Sequence, residues 1–196
     1  MHHPAPRPPL LARRSLLALG AAASLPLLAS TTVAQTGATQ PPEVSSELPG
    51  ATLAGSTRMR FFGLNIYDAR LWVTPGFKPA TYGQHPFALE LGYLRSLSGS
   101  AIAQRSLDEM RRSGPIAPDT AERWLAAMNA AFPDVKAGDR ITGLHTPGQG
   151  ARFWFNGQPR PAVKDADFSR AFFGIWLADT TSEPRLRTEL LSGLAP

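Results

Sequence analysis

Few side chains in this 196-residue chain are equipped for chemistry, and the arginines are the most informative of them. Arg58 and Arg60 stand two apart in Gly55-Ser56-Thr57-Arg58-Met59-Arg60, just ahead of a predicted pair of strands. An arginine that reaches an apolar cavity presents a fixed fork of donors to a carboxylate or an enolate oxygen. The same fork would stabilise an oxyanion formed during a reaction. The other reading of Arg58 is a surface arginine on a strand edge. Arg105 lies four residues before Glu109 on a predicted helix, a spacing that suits an i,i+4 ion pair worth a few tenths of a kcal/mol.

The usual catalytic sets are missing. There is no G-x-S-x-G, no phosphate loop, no H-E-x-x-H and no cysteine. His85 and His145 are the only histidines after residue 34, and neither has a carboxylate at ligand spacing. No metal and no cofactor is therefore expected. His85, just before Pro86, reads as exposed; His145, inside a predicted strand, reads as a structural histidine with its hydrogen bonds satisfied. Phe153, Phe155, Phe172 and Trp176 suit a core, and some of them suit the wall of a ligand cavity equally well.

The N-terminus carries the pattern of an export signal. Arg7, Arg13 and Arg14 precede an apolar run over residues 16–29, and Thr32-Val33-Ala34 forms a small-x-small cleavage site. The run is shorter than the roughly 20 residues that span a bilayer, so no stable membrane span is expected after cleavage. Arg13-Arg14 followed by Ser15-Leu16-Leu17 resembles a twin-arginine signal, and an ordinary secretory signal fits as well. Residues 1–34 thus predict a periplasmic or secreted protein. The leader holds three of the 20 Lys+Arg and none of the 15 Asp+Glu, which leaves 17 bases against 15 acids. So small an excess gives no strong electrostatic reason to bind nucleic acid or acidic lipid.

The elements that must position these residues follow from periodicity. Residues 35–47, polar and holding Pro41-Pro42, read as a flexible leader into a single domain over 48–196. Alternating patterns predict strands over residues 62–73 and 87–93, and further strands over 140–147 and 151–155. Asn156-Gly157 predicts a two-residue hairpin into a strand over 158–163. Helices are expected over 102–112, over 119–132 with Asp119 as N-cap, after an Asp165 cap, and from Pro184 to a stop at Gly193. Strands and helices come in blocks, which argues for an α+β fold: a large antiparallel sheet with a layer of helices on one face.

The ordered motifs resemble the chalcone isomerase-like family, especially its bacterial exported branch. They are G-S-T-R at 55–58, I-Y-D-A-R-L-W-V at 66–73, and F-P-D-V-K-A-G-D-R-I at 132–141. T-P-G-Q-G-A-R-F-W-F-N-G at 146–157, D-F-S-R-A-F-F-G-I-W-L at 167–177 and S-E-P-R-L-R-T-E-L-L-S-G at 182–193 complete the set. The resemblance implies an open-faced sandwich with a ligand cleft between sheet and helices. It also implies a site. The family arginine falls on Arg58, the helix lysine on Arg105, the catalytic tyrosine on Ile102, and a polar residue of a later helix on Ile175. Tyr67 or Tyr93 is left to supply a hydroxyl, and Phe172 to line the cleft.

Arg58 and Arg105 are thus the candidate catalytic residues. Arg58, Tyr67, Tyr93, Ile102, Arg105, Phe172 and Ile175 are the candidate ligand-binding set. The first functional expectation is a binder of a small amphipathic or carboxylate-bearing ligand. The second is an isomerase or lyase in which Arg58 stabilises an enolate. The third is a structural protein of the cell envelope without a ligand. The partner implied is a small molecule, and no protein partner is named by the residues.

Overall fold

The computed structural model describes residues 39–194, so the export signal expected over residues 1–34 lies outside the described residues. The described residues form six strands: β1 (Thr52–Phe61), β2 (Leu64–Val73), β3 (Phe87–Tyr93), β4 (Arg140–Thr146), β5 (Gly150–Phe155) and β6 (Gln158–Val163). They pair antiparallel in chain order as one sheet. Five helices accompany them: α1 (Pro42–Glu47), α2 (Gly99–Met110), α3 (Pro118–Ala131), α4 (Ala166–Leu177) and α5 (Pro184–Leu190). Of these, α2 to α5 cover one face of the sheet, as the α+β reading expects. None of the described helices is long and apolar enough to cross a membrane.

The core lies between that face and the helix layer. Leu71, Phe87, Leu89 and Phe153 project from the strands onto Leu107, Met128, Phe168, Phe172 and Phe173, all buried. The Asn156-Gly157 hairpin forms as expected, with φ of 50° and 82° at its two central residues. Asp165 caps α4 by accepting the Phe168 N–H at 2.9 Å.

Four expectations need correction. Residues 35–47 are not a flexible leader throughout, because 42–47 form α1, with Glu43 and Val44 buried. This helix lies on the sheet face opposite the other helices, where Glu43 accepts hydrogen bonds from Thr142 and Arg140. The first strand begins at Thr52, ten residues earlier than the pattern at 62–73 suggested. Its bulge, where the register with β2 shifts around Ala54, breaks the simple alternation. Helix α3 starts at Pro118 with Ala117 in the cap position, so Asp119 sits in the first turn; proline is favoured at the first helical residue. Helix α2 starts at Gly99, earlier than residue 102, because the Ser98 hydroxyl accepts the Ala101 N–H and caps it.

The fold closes by returning α5 to the first strand. Thr57 donates a hydrogen bond to the Glu189 carboxylate, and the Gly193 N–H donates to the Ala54 carbonyl at 2.7 Å. The close approach requires Gly55, because a Cβ there would collide with the Glu189 and Leu190 carbonyls.

His145 is the structural histidine the sequence suggests. It is buried, stacks on Phe87, and bonds Ser169 Oγ at 2.7 Å and the Gly83 carbonyl at 3.0 Å. Burial lowers its pKa, with the Gly83 bond opposing. The unfolded chain therefore takes up this proton first as pH falls. Stability from this site is complete above about pH 6.5 and declines below it. We expect melting temperature to drop as pH falls from about 7.5 to 5, a window above the ordinary carboxylate range. His145→Gln should flatten that drop.

Candidate functional site

One cavity of about 330 Å³ opens between the helix-facing side of the sheet and helices α2, α4 and α5. Strands contribute Met59, Phe61, Tyr67, Leu91 and Tyr93 to its wall, and the helices contribute Ile102, Arg105, Phe172, Ile175 and Trp176. These side chains meet because the strand residues sit at alternate positions of β1, β2 and β3, while the helix residues recur at three- and four-residue spacing. Buried Phe132, Ile141 and Phe172 close the inner end, and the half-exposed Phe61 and exposed Arg105 stand at the mouth.

Two tyrosine hydroxyls enter this apolar space. Tyr67 and Tyr93 face each other across the β2–β3 ladder with ring centroids 6.1 Å apart. The Trp176 Nε1–H donates to Tyr67 Oη at 3.0 Å, which leaves the Tyr67 proton without an acceptor among the described residues. Tyr93 is buried and its hydroxyl makes no hydrogen bond among the described residues. Burial pushes the Tyr67 pKa up to about 12, against the opposing hydrogen bond from Trp176. Burial raises Tyr93 further, with Tyr67 adding to it. Both groups are neutral donors at physiological pH and neither can act as a base there.

Arg105 is the one cation in the cavity wall among the described residues. Its Nη2 lies 2.6 Å from Glu109 Oε1, the i,i+4 pair the spacing suggested, and its guanidinium lies over the Phe61 ring at 5.9 Å. Glu109 also accepts from Ser182 Oγ at 2.8 Å and faces Arg112 at 3.6 Å. Arg105 and Arg112 share Glu109, and Glu183 also lines the cavity, so this corner holds two cations and two acids.

Arg58 is not in the cavity. It projects from the opposite sheet face, 44% exposed, and forks onto Asp68 with distances of 2.6 and 2.9 Å. The expectation that it reaches an apolar cavity is therefore corrected. The physical reason is the pleat: Thr57, Met59 and Phe61 face the helices, so Arg58 and Arg60 must face away. That alternation was present in the sequence once the first strand is extended back to Thr52. The structure does bring Tyr67, Tyr93, Ile102, Arg105, Phe172 and Ile175 around one space. Sequence reasoning paired Arg105 with Glu109, but missed Trp176 as the group that orients Tyr67 and Ser182 as a second partner of Glu109.

No group of three or more His, Cys, Asp or Glu able to hold a metal occurs among the described residues.

Comparison with known proteins bears on this geometry. Residues 36–192 match the family described as chalcone isomerase-like. A Haemophilus influenzae protein described as uncharacterized is 31% identical over 139 residues, covering 70% of this chain. The aligned part spans 66% of that relative's length, just under two thirds. In structure, the chain is similar to a fatty-acid binding protein of Arabidopsis thaliana, with a TM-score of 0.56 at 11% identity. The match covers 73% of this chain and 87% of the plant protein; at that identity it is a likeness of fold.

Proposed function

Because the chain belongs to the chalcone isomerase-like family, we propose that its cavity binds a small amphipathic acid, with a fatty acid as the first candidate. The observation that carries this reading is an apolar cavity of about 330 Å³ holding two neutral tyrosine hydroxyls, with one arginine at its mouth. The volume falls in the range of small-molecule sites. A carboxylate buried among apolar walls would cost several kcal/mol, so the charged end belongs at the Arg105 corner. There Arg105 supplies charge and the Tyr67 and Tyr93 hydroxyls donate hydrogen bonds, while the apolar body runs inward toward Phe132, Ile141 and Phe172. The fatty-acid binding described for the plant structure is consistent with this reading.

An isomerase acting through Arg58 would need that arginine beside the substrate, and Arg58 is engaged by Asp68 on the other face. Chalcone cyclisation is therefore expected at the background rate.

A fluorescent palmitate analogue tests the binding proposal by titration. Tyr93→Phe should weaken binding about five- to tenfold, since a neutral hydrogen bond is worth about 1 kcal/mol. It should not lower stability, because no protein group loses a partner. Arg105→Ala should weaken binding by a similar factor, and Arg58→Ala should change nothing. Loss of affinity in Arg58→Ala with none in Tyr93→Phe would sink the assignment.

We also propose that the chain acts outside the cytoplasm, on the pattern of residues 1–34. Replacing Arg13 and Arg14 by lysine should block export if the twin-arginine route is used, and export that continues unchanged would point to the general secretory route.

A further inference from the structure

The β1–β2 hairpin has a tip that the fold itself does not call for. Its two-residue turn is Phe62-Gly63, with φ of 46° and 76°. The β5–β6 hairpin uses nearly the same backbone, with Asn156-Gly157 at 50° and 82°. Asn and Gly are the residues this turn prefers, whereas a bulky side chain at positive φ is strained. Phenylalanine at position 62 therefore costs stability that asparagine would not. Nor does its side chain recover that cost by packing inward, for Phe62 is 89% exposed.

Its neighbours are apolar as well. Among the described residues five large apolar side chains are exposed, and four belong to this corner: Phe61, Phe62, Leu64 and Leu94. Phe61 and Phe62 meet edge to face at 4.4 Å, and the Leu94 N–H bonds the Ile66 carbonyl beside the tip. The charged groups nearby favour an anionic surface. Arg60 bonds only the neutral Asn65 side chain, and Arg105 lies over Phe61. Arg112 shares Glu109 with Arg105, Asp68 is matched by Arg58, Glu189 lies near Arg60 and is paired with Arg185, and Glu183 is the remaining acid of the corner.

We propose that this tip is a membrane wedge, which docks the mouth of the cavity on a bilayer containing anionic lipid. Exposed aromatic and leucine side chains enter the boundary between headgroups and acyl chains, while flanking arginines meet the phosphates. Phe61 belongs both to the tip and to the cavity wall. An apolar ligand can thus pass between bilayer and cavity without crossing water. That last step rests on the proposed binding function; the docking itself does not.

The chain contains no cysteine, so a single introduced thiol can report position. Leu64→Cys and Gln149→Cys, the latter in the turn at the other end of the sheet, would each carry an environment-sensitive dye. Vesicles of phosphatidylglycerol and phosphatidylethanolamine should shift the dye to the blue at residue 64 and not at 149. Phosphatidylcholine vesicles should give a weaker shift. In the Phe62→Asn background the apparent affinity read at residue 64 should fall tenfold or more, by about the burial of one phenylalanine. The same variant should melt about 2 °C higher or more, as a preferred turn replaces a strained one.

Because Phe62 is not in the cavity wall, Phe62→Asn should bind the palmitate analogue normally in vesicle-free buffer. Failure of every variant to bind that analogue would remove the ligand function and leave docking standing. Docking is overturned if the dye at residue 64 ignores anionic vesicles, or if Phe62→Asn inserts as well as the parent. It is equally overturned if the shift appears without vesicles and grows with protein concentration, which would assign the tip to a second copy.

Discussion

Filling the cavity from both helices, with Ile102→Trp and Ile175→Trp together, is expected to weaken palmitate-analogue binding more than a hundredfold. Both residues are partly buried and both line the cavity, one from α2 and one from α4. The added indoles would occupy space that is already empty, so the change avoids the overpacking that a filled core resists. A hundredfold loss corresponds to about 2.7 kcal/mol of binding free energy. Melting temperature should move by only a few degrees, since neither residue is a fully buried anchor of the core. Titration and thermal melts on the same preparation check both halves. Retained affinity in a folded double variant would mean that the ligand sits elsewhere.

The largest effect on stability away from the main core is expected at Glu43. Its buried carboxylate accepts from Arg140 Nη2 at 3.0 Å and from Thr142 Oγ1 at 2.7 Å, and it fixes α1 to the far face of the sheet. Glu43→Ala leaves a half-buried guanidinium without its partner, and Arg140 Nε already lacks one among the described residues. Removing one member of a fully buried pair costs about 3–5 kcal/mol. Arg140 keeps 29% of its side chain exposed, so about 2–3 kcal/mol is the expected loss. Glu47→Ala removes the neighbouring exposed pair with Arg152 and should cost less than about 1 kcal/mol. Equal losses in the two variants, measured by denaturant unfolding, would show that burial of Glu43 contributes nothing.

Helix α1 also shows where the sequence stops being readable. Six residues beginning at a proline carry no helical period, and what holds them is a carboxylate bonded to groups about a hundred positions away. Local pattern cannot report so distant a partner. β2 and β3 were legible because larger apolar residues alternate with smaller or polar ones along them, and Asn156-Gly157 announced the turn into β6 through the positive φ values that Asn and Gly tolerate best. The Phe62-Gly63 turn has the same geometry and went unread, since phenylalanine gives no turn signal and joined the apparent strand.

The lining of the candidate cavity was legible in part. Ile102, Arg105 and Ile175 were placed by the family resemblance, with Tyr67 or Tyr93 left to supply a hydroxyl and Phe172 to line the cleft, and all six line one cavity. Arg58 was misplaced because its side was judged from the family motif, when the parity of β1 decides it. The Trp176–Tyr67 bond joins α4 to β2 across the core, and no spacing in the chain encodes it.

A crystal structure with palmitate would locate the bound acid. An acyl chain is expected between the sheet and helices α2 and α4, with the carboxylate within hydrogen-bonding distance of Arg105 and of a hydroxyl of Tyr67 or Tyr93. A palmitate bound beside Arg58 on the opposite face, or an empty cavity at saturating palmitate, would contradict it.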